Sequence, residues 1–216
     1  MNQFNFHFTW KHFTGMLLGN MILGLGIAIF KFSNLGNDPF SAMMMGLADK
    51  TPLEYAALTA ILNTFLFIIE FIWGKQLIGL GTLINWFFLA YFATFFYDTM
   101  TFLLPNPSHF FIQILYLIIG IPIISFGVSL YQASDSGIAP YDSISLIMDA
   151  HMPIPYFWCR LFTDFLCAFL CFLSGGLLGI GTLTCAFCLG PFISFFNHKI
   201  TFALMGHEEE HRIEKV

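Results

Sequence analysis

The sequence predicts an all-α membrane protein: six transmembrane helices plus two short re-entrant half-helices, built as two inverted three-span repeats. Three observations predict it. Of the 216 residues, 57% are hydrophobic and only 10% charged, whereas a soluble domain carries about 45–50% apolar and about 25% charged residues. Apolar runs approaching or exceeding the ~20 residues of a spanning helix fall at about 14–32, 54–74, 78–98, 109–132, 155–174 and 178–198. An octapeptide, SNLGNDPF from Ser33 to Phe40, returns 101 residues later as SDSGIAPY from Ser134 to Tyr141.

Residues 1–13 form a polar amino-terminal segment, expected in the cytoplasm. No small-residue cleavage site follows it, so no cleavable signal is expected. Repeat 1 covers 14–98. Its first span ends near Phe32, and Ser33–Asp38 interrupt the helix before Pro39. A proline at the first helical position, with Asn37 and Asp38 just before it, is a helix-start signature. The helix that follows, 40–49, extends about 15 Å, half the ~30 Å hydrocarbon core. It is therefore expected to enter and leave on one side. Two spans complete the repeat and lead to an external loop at 99–108. Repeat 2, 109–198, has the same order with its half-helix at 141–150, and 199–216 is an acidic cytoplasmic tail.

The duplication extends well beyond the octapeptides. At the same offset Gly26 matches Gly127, Pro52 matches Pro153, Tyr55 matches Tyr156 and Gly74 matches Gly175. After a one-residue slip, GLGTL at 79–83 matches GIGTL at 179–183. Three crossings per copy is an odd number, so the second copy enters the bilayer upside down. With six spans and a cytoplasmic amino terminus, Lys11, Lys75, Arg160, Lys199, Arg212 and Lys215 fall inside, and only Lys31 and Lys50 outside. That bias follows the positive-inside rule.

The breaks are the first candidates for chemistry. Extended, residues 33–38 reach about 20 Å, enough to dip to mid-membrane. The free N–H groups of the half-helix would then sit there with partial positive charge. Non-helical backbone is tolerated at that depth only beside protein or a water-filled cavity. Two such starts converging from opposite faces define a central site. Ser33, Asn34, Asn37 and Asp38 line it from one side; Gln132, Ser134, Asp135, Asp142 and Ser143 from the other. The competing reading is an ordinary exterior loop whose Asp38 caps a surface helix.

Asn63 and Asp164, matched at the same offset, lie near the middles of their spans. An ionisable group at that depth faces a cavity or a partner. Asn63 joins the expected binding set, and Asp164 with Arg160, one turn earlier, forms the expected coupling pair. A plain neutralising ion pair is the alternative for these two.

Other features read as structural. Glu70, near Lys75, is expected at the membrane interface. Thr82 and Thr182 suit close helix packing, and Met43–Met45 suits soft packing. The five cysteines (Cys159, Cys167, Cys171, Cys185 and Cys188) lie in apolar runs and are expected to pack, not to bind metal. HEEEH at 207–211 has the zinc-helix spacing, yet it sits among consecutive acids and is expected to be a solvated tail. No metal, cofactor, nucleic-acid partner or enzymatic activity is expected. The net charge of −5 comes largely from the tail.

Gly-Ile-Ala from Gly26, NLGNDPF from Asn34 and GLGTLIN from Gly79, with SGIAPYD from Ser136, GIGTL from Gly179 and GPFI from Gly190, resemble the YczE/YyaS/YitT-type bacterial integral membrane proteins. The resemblance covers roughly residues 14–198; that family favours Trp where this chain has Phe40. It implies a multi-pass protein of the bacterial inner membrane, and it carries over no site residues. The expected function is transport of a small anionic or zwitterionic solute at mid-membrane between the repeats, with proton coupling available through Asp164. A channel on the same plan and a non-transporting sensor or assembly partner are the rivals. The partners expected are the solute and the lipid bilayer, and a homo-oligomer is compatible with the sequence.

Overall fold

The computed structural model describes residues 10–205. Residues 1–9 of the expected cytoplasmic segment, and most of the acidic tail with HEEEH at 207–211, lie outside the described residues. Eight principal helices follow one another: α1 (Trp10–Ser33), α2 (Pro39–Ala48), α3 (Tyr55–Trp73), α4 (Leu80–Leu103), α5 (Phe110–Ala133), α6 (Pro140–His151), α7 (Tyr156–Leu173) and α8 (Ile180–Phe196). A single 3₁₀ turn, Lys75–Leu77, precedes α4, and a π-turn at Asn197–Thr201 carries α8 on into Phe202–Met205. The described residues contain no strand.

Among the described residues, five helices are long and apolar enough to cross a membrane: α1, α3, α4, α5 and the continuous stretch Ile180–Met205. The remaining expected span, 155–174, is the 18-residue α7, which carries Arg160 and Asp164 and is not among those five. Short helices stand at both places expected for the half-helices, α2 and α6, each beginning at its proline. The expected loop at 99–108 is shorter, because α4 continues to Leu103.

The exterior is not that of a soluble protein. Large apolar side chains on α3, α4 and α7 face outward, with Phe65, Phe95 and Phe165 each more than 60% exposed. Asn20, Asn63, Ser125 and Ser129 are buried inside. In water this would leave a large exposed apolar surface; in lipid it is the stable arrangement. The protein is a multi-pass membrane protein.

At the centre α1 and α5 cross antiparallel through glycines. A Cβ on Gly26 would come within 2.9 Å of the Ile124 backbone nitrogen, and one on Gly127 within 2.5 Å of the Leu23 nitrogen. Gly26 and Gly127 are matched positions, and so are Leu23 and Ile124, so each half makes the same contact on the other. Small residues at such a crossing let the backbones approach. The rest of the packing obeys the same exchange: α4 lies on α1 and α8 on α5, while α2 packs on α7 and α6 on α3.

The two breaks share one conformation. Asn34 and Asp135 have φ of 58° and 46°, and Gly36 and Gly137 have 107° and 115°. Ser33 and Ser134 each turn back to bond a carbonyl three residues earlier, Phe30 and Tyr131. Each break then meets the start of a helix from the other half. Gly181 N–H donates to Leu35 O at 2.8 Å, and Gly81 N–H donates to Ser136 O at 2.6 Å. A Cβ on Gly36 would fall 2.6 Å from the Thr182 hydroxyl, and one on Gly137 2.7 Å from that of Thr82. Thr82 and Thr182 thus serve the close packing expected of them.

Candidate functional site

Beyond Gly36 the chain turns back along α1. Asn37 Nδ2 donates to Ile27 O at 3.0 Å, and Asp38 N–H donates to Asn37 Oδ1 at 2.9 Å. Six residues of α1 separate Ile27 from Ser33, so the break returns about 9 Å along the helix axis. Asp38 caps α2, accepting from Ser41 N–H at 3.0 Å. Where α2 and α6 begin, the matched rings of Phe40 and Tyr141 stack on each other, with centroids 4.4 Å apart and planes 25° apart.

A cavity of about 60 Å³ opens there. It holds on the order of four waters, at the 10–15 Å³ that one requires. Its walls are matched pairs from the two halves: Ile27 with Val128, Asp38 with Ala139, Phe40 with Tyr141, Ser41 with Asp142, and Thr59 with Arg160. Tyr55, Asn63 and Asn85 also line it. The packing is symmetric and the chemistry is not.

On the second-half wall the charges satisfy one another. Arg160 Nη1 lies 2.5 Å from Asp142 Oδ1, and its Nε 3.4 Å from Asp164 Oδ1. Its guanidinium stands over the Tyr141 ring, 4.9 Å from the centroid. Tyr141 donates its hydroxyl to Asp164 at 2.6 Å, and Tyr131 donates to Asp142. On the first-half wall, the Tyr55 hydroxyl meets Ser41 Oγ at 3.4 Å. Asp38 Oδ2 and Asn63 Oδ1 are buried there with no hydrogen-bond partner in the protein.

Of the residues anticipated from sequence, Asp38, Asn63, Asp142 and Arg160 line the cavity, and Asp164 joins through Tyr141 and Arg160. Asn37 is bound to α1. Ser33 and Ser134 close their own helix ends. Ser143 bonds Pro140 O inside α6. Asn34 and Asp135 are exposed, and Gln132 is half-buried away from the cavity lining.

Sequence reasoning missed Tyr131, Tyr141, Ser41, Thr59 and Tyr55. Ser41 and Thr59 were discoverable, as the offset partners of Asp142 and Arg160. Glu70 is a correction. It is fully buried, with its carboxyl beside Ser143 of α6, and Lys75 lies over the Phe71 ring instead. Glu70 follows Asn63 by two turns on one face of α3, a signal outweighed by its closeness to Lys75 in sequence.

A polytopic α-helical membrane protein with a cavity, lined by aliphatic side chains and a few polar and charged ones, between two internally matched halves is the class that fold and site define. The chain belongs to the family of unknown function DUF6198, whose profile matches residues 10–198. It is similar to an uncharacterized protein of Haemophilus influenzae, 26% identical over 87% of this chain and 84% of that protein. It is also similar to two Bacillus subtilis proteins. YyaS is 28% identical over 80% of this chain and 85% of its own length. YczE, described as a membrane protein, is 24% identical over 82% of this chain and 81% of its own length. The resemblance read from the glycine and proline pattern is borne out. No solved structure matches.

Proposed function

We propose that the protein is a transporter that carries a small solute in the central cavity and exposes it to alternate sides by rocking its two halves. The observation that carries this reading is the cavity's position: it lies on the contact between the halves, walled by matched residues from each. The exchanged contacts of the breaks, and of Gly26 and Gly127, are those of a two-fold arrangement. With an odd number of crossings per half, that axis lies in the membrane plane, the plan of inverted-repeat carriers. The fold-back at Asn37 supports a re-entrant α2 that starts near the depth of the α1–α5 crossing.

Of the anionic and zwitterionic classes, the zwitterionic is the better supported. Asp38 already caps the positive end of α2, and Asp142 occupies the first turn of α6. Arg160 is engaged by two aspartates. Asp164, tied to both Arg160 and Tyr141, is the group available for proton coupling.

Proteoliposomes loaded for counterflow with labelled zwitterionic metabolites test the reading. Asp38→Ala and Asp164→Asn are expected to abolish uptake while membrane expression stays intact. Wild-type uptake in both variants overturns the central site. Steady single-channel conductance would make the protein a channel, and absent flux with a stable co-purifying protein would make it a sensor or assembly partner.

A further inference from the structure

We propose that the first-half wall of the cavity, formed by Asp38, Ser41, Thr59 and Asn63, binds a small monovalent cation. Two sources have that chemistry: a free alkali ion, and the ammonium head of the carried solute. The proposal rests on the central-cavity reading and adds which end of the ligand this wall holds.

The first support is an acceptor buried without a partner. Asn63 is 3% exposed, lines the cavity, and its Oδ1 receives no hydrogen bond from the protein. A buried polar atom in that state has lost its water without gaining a partner, and a ligand in the cavity relieves it. Asp38 Oδ2 is in the same position, while Oδ1 of that carboxylate is held by Ser41 N–H at 3.0 Å. Thr59 and Asn63 are successive turns of one face of α3, and both are buried against the same cavity.

The second support is the internal comparison. In the second half, the Arg160 guanidinium sits between Asp142 and Asp164. Its first-half counterpart is Thr59, and the counterpart of Asp164 is Asn63. The first half therefore presents a carboxylate, an amide oxygen and hydroxyls, with no cationic side chain among the cavity-lining residues from its own helices. A small external cation completes it as Arg160 completes the other wall.

The donor set selects the ligand. All four groups are hard oxygens, which suit alkali and ammonium cations over soft metals. One carboxylate matches one positive charge, whereas Ca²⁺ and Mg²⁺ sites draw on more carboxylates or retained waters. Among the described residues no three His, Cys, Asp or Glu side chains gather as a transition-metal site.

Thermal unfolding of the full chain in detergent tests this, in NaCl, KCl, methylammonium chloride and choline chloride at equal ionic strength. Binding to the folded state raises Tm with ligand concentration. The expected result is a saturable rise with an alkali ion or with methylammonium, and none with choline. Asn63→Leu and Asp38→Asn are each expected to weaken that response roughly 10–100-fold. Thr59→Val serves if Asp38→Asn fails to fold, and Gly190→Ala should respond as wild type. A response to alkali ions identifies a free ion; a response to methylammonium alone identifies the solute's head. Equal Tm in all four salts overturns the proposal, as does a cation-specific rise that the variants retain. Because binding is read without transport, a surviving cation response with no flux removes the carrier and leaves the site. Flux without any cation response does the reverse.

Discussion

Arg160 touches two carboxylates and the face of Tyr141 at once. Removing it strands Asp142 and Asp164 beside the cavity without a counter-charge. Breaking a buried pair costs about 3–5 kcal/mol, and with the Arg160 side chain 27% exposed the cost falls near the lower figure. Asp164→Asn is milder, because Arg160 keeps Asp142 and Tyr141 can donate to the amide oxygen. Arg160→Met should therefore lower Tm several-fold more than Asp164→Asn in a detergent unfolding assay; equal losses would show that the network does not depend on the guanidinium. The sequence disclosed half of this network. Arg160 and Asp164 stand one turn apart on one helix, so spacing alone paired them. The shorter contact is to Asp142, 18 residues away on another helix, and no local periodicity reports a contact set by α6–α7 packing. Asn63 was legible for a different reason, since the duplication marks it as the counterpart of Asp164.

Helices and breaks are set by signals of very different reach. Pro39 and Pro140 begin α2 and α6 as their fixed φ predicts, and Gly36 and Gly137 take the left-handed conformations that a side chain resists. These are local instructions and were readable. The end of α8 was not. It continues past 198 through a π-turn where Ser129 of α5 meets Asn197 at 2.7 Å and Thr201 at 2.6 Å. That is a tertiary contact with no signature in the segment itself. The glycines separate the same two cases experimentally. Gly127 lies against the Leu23 backbone at the α1–α5 crossing, whereas a Cβ on Gly190 would meet nothing within 4 Å. Gly127→Leu should destabilise by at least the about 1–3 kcal/mol of an overpacked core. Gly190→Ala should stabilise α8 by about 0.5–1 kcal/mol. Unfolding by fluorescence-detected size exclusion after heating ranks the two, and a Gly127→Leu variant as stable as wild type would mean that the crossing is not tightly packed in the membrane.

For the whole molecule, the duplication predicts more than shape, because the proposed two-fold axis in the membrane plane would put matched residues on opposite sides. Arg160 belongs to the cavity network and not to a loop, so the bias of basic residues toward one side rests on the remaining lysines and Arg212. An independent measure of sidedness is therefore needed. Lys50, just beyond α2, and His151, at the end of α6, are matched positions and both are exposed. In a background with the five cysteines replaced, cysteines at 50 and 106 are expected to react with a membrane-impermeant maleimide on intact cells. Cysteines at 75 and 151 are expected to react only after permeabilisation. If α2 crossed fully instead of returning, positions 50 and 75 would exchange sides. If the halves were parallel copies, 50 and 151 would label together. Opposite labelling of 50 and 151 is the one result that an inverted pair requires and a parallel pair forbids.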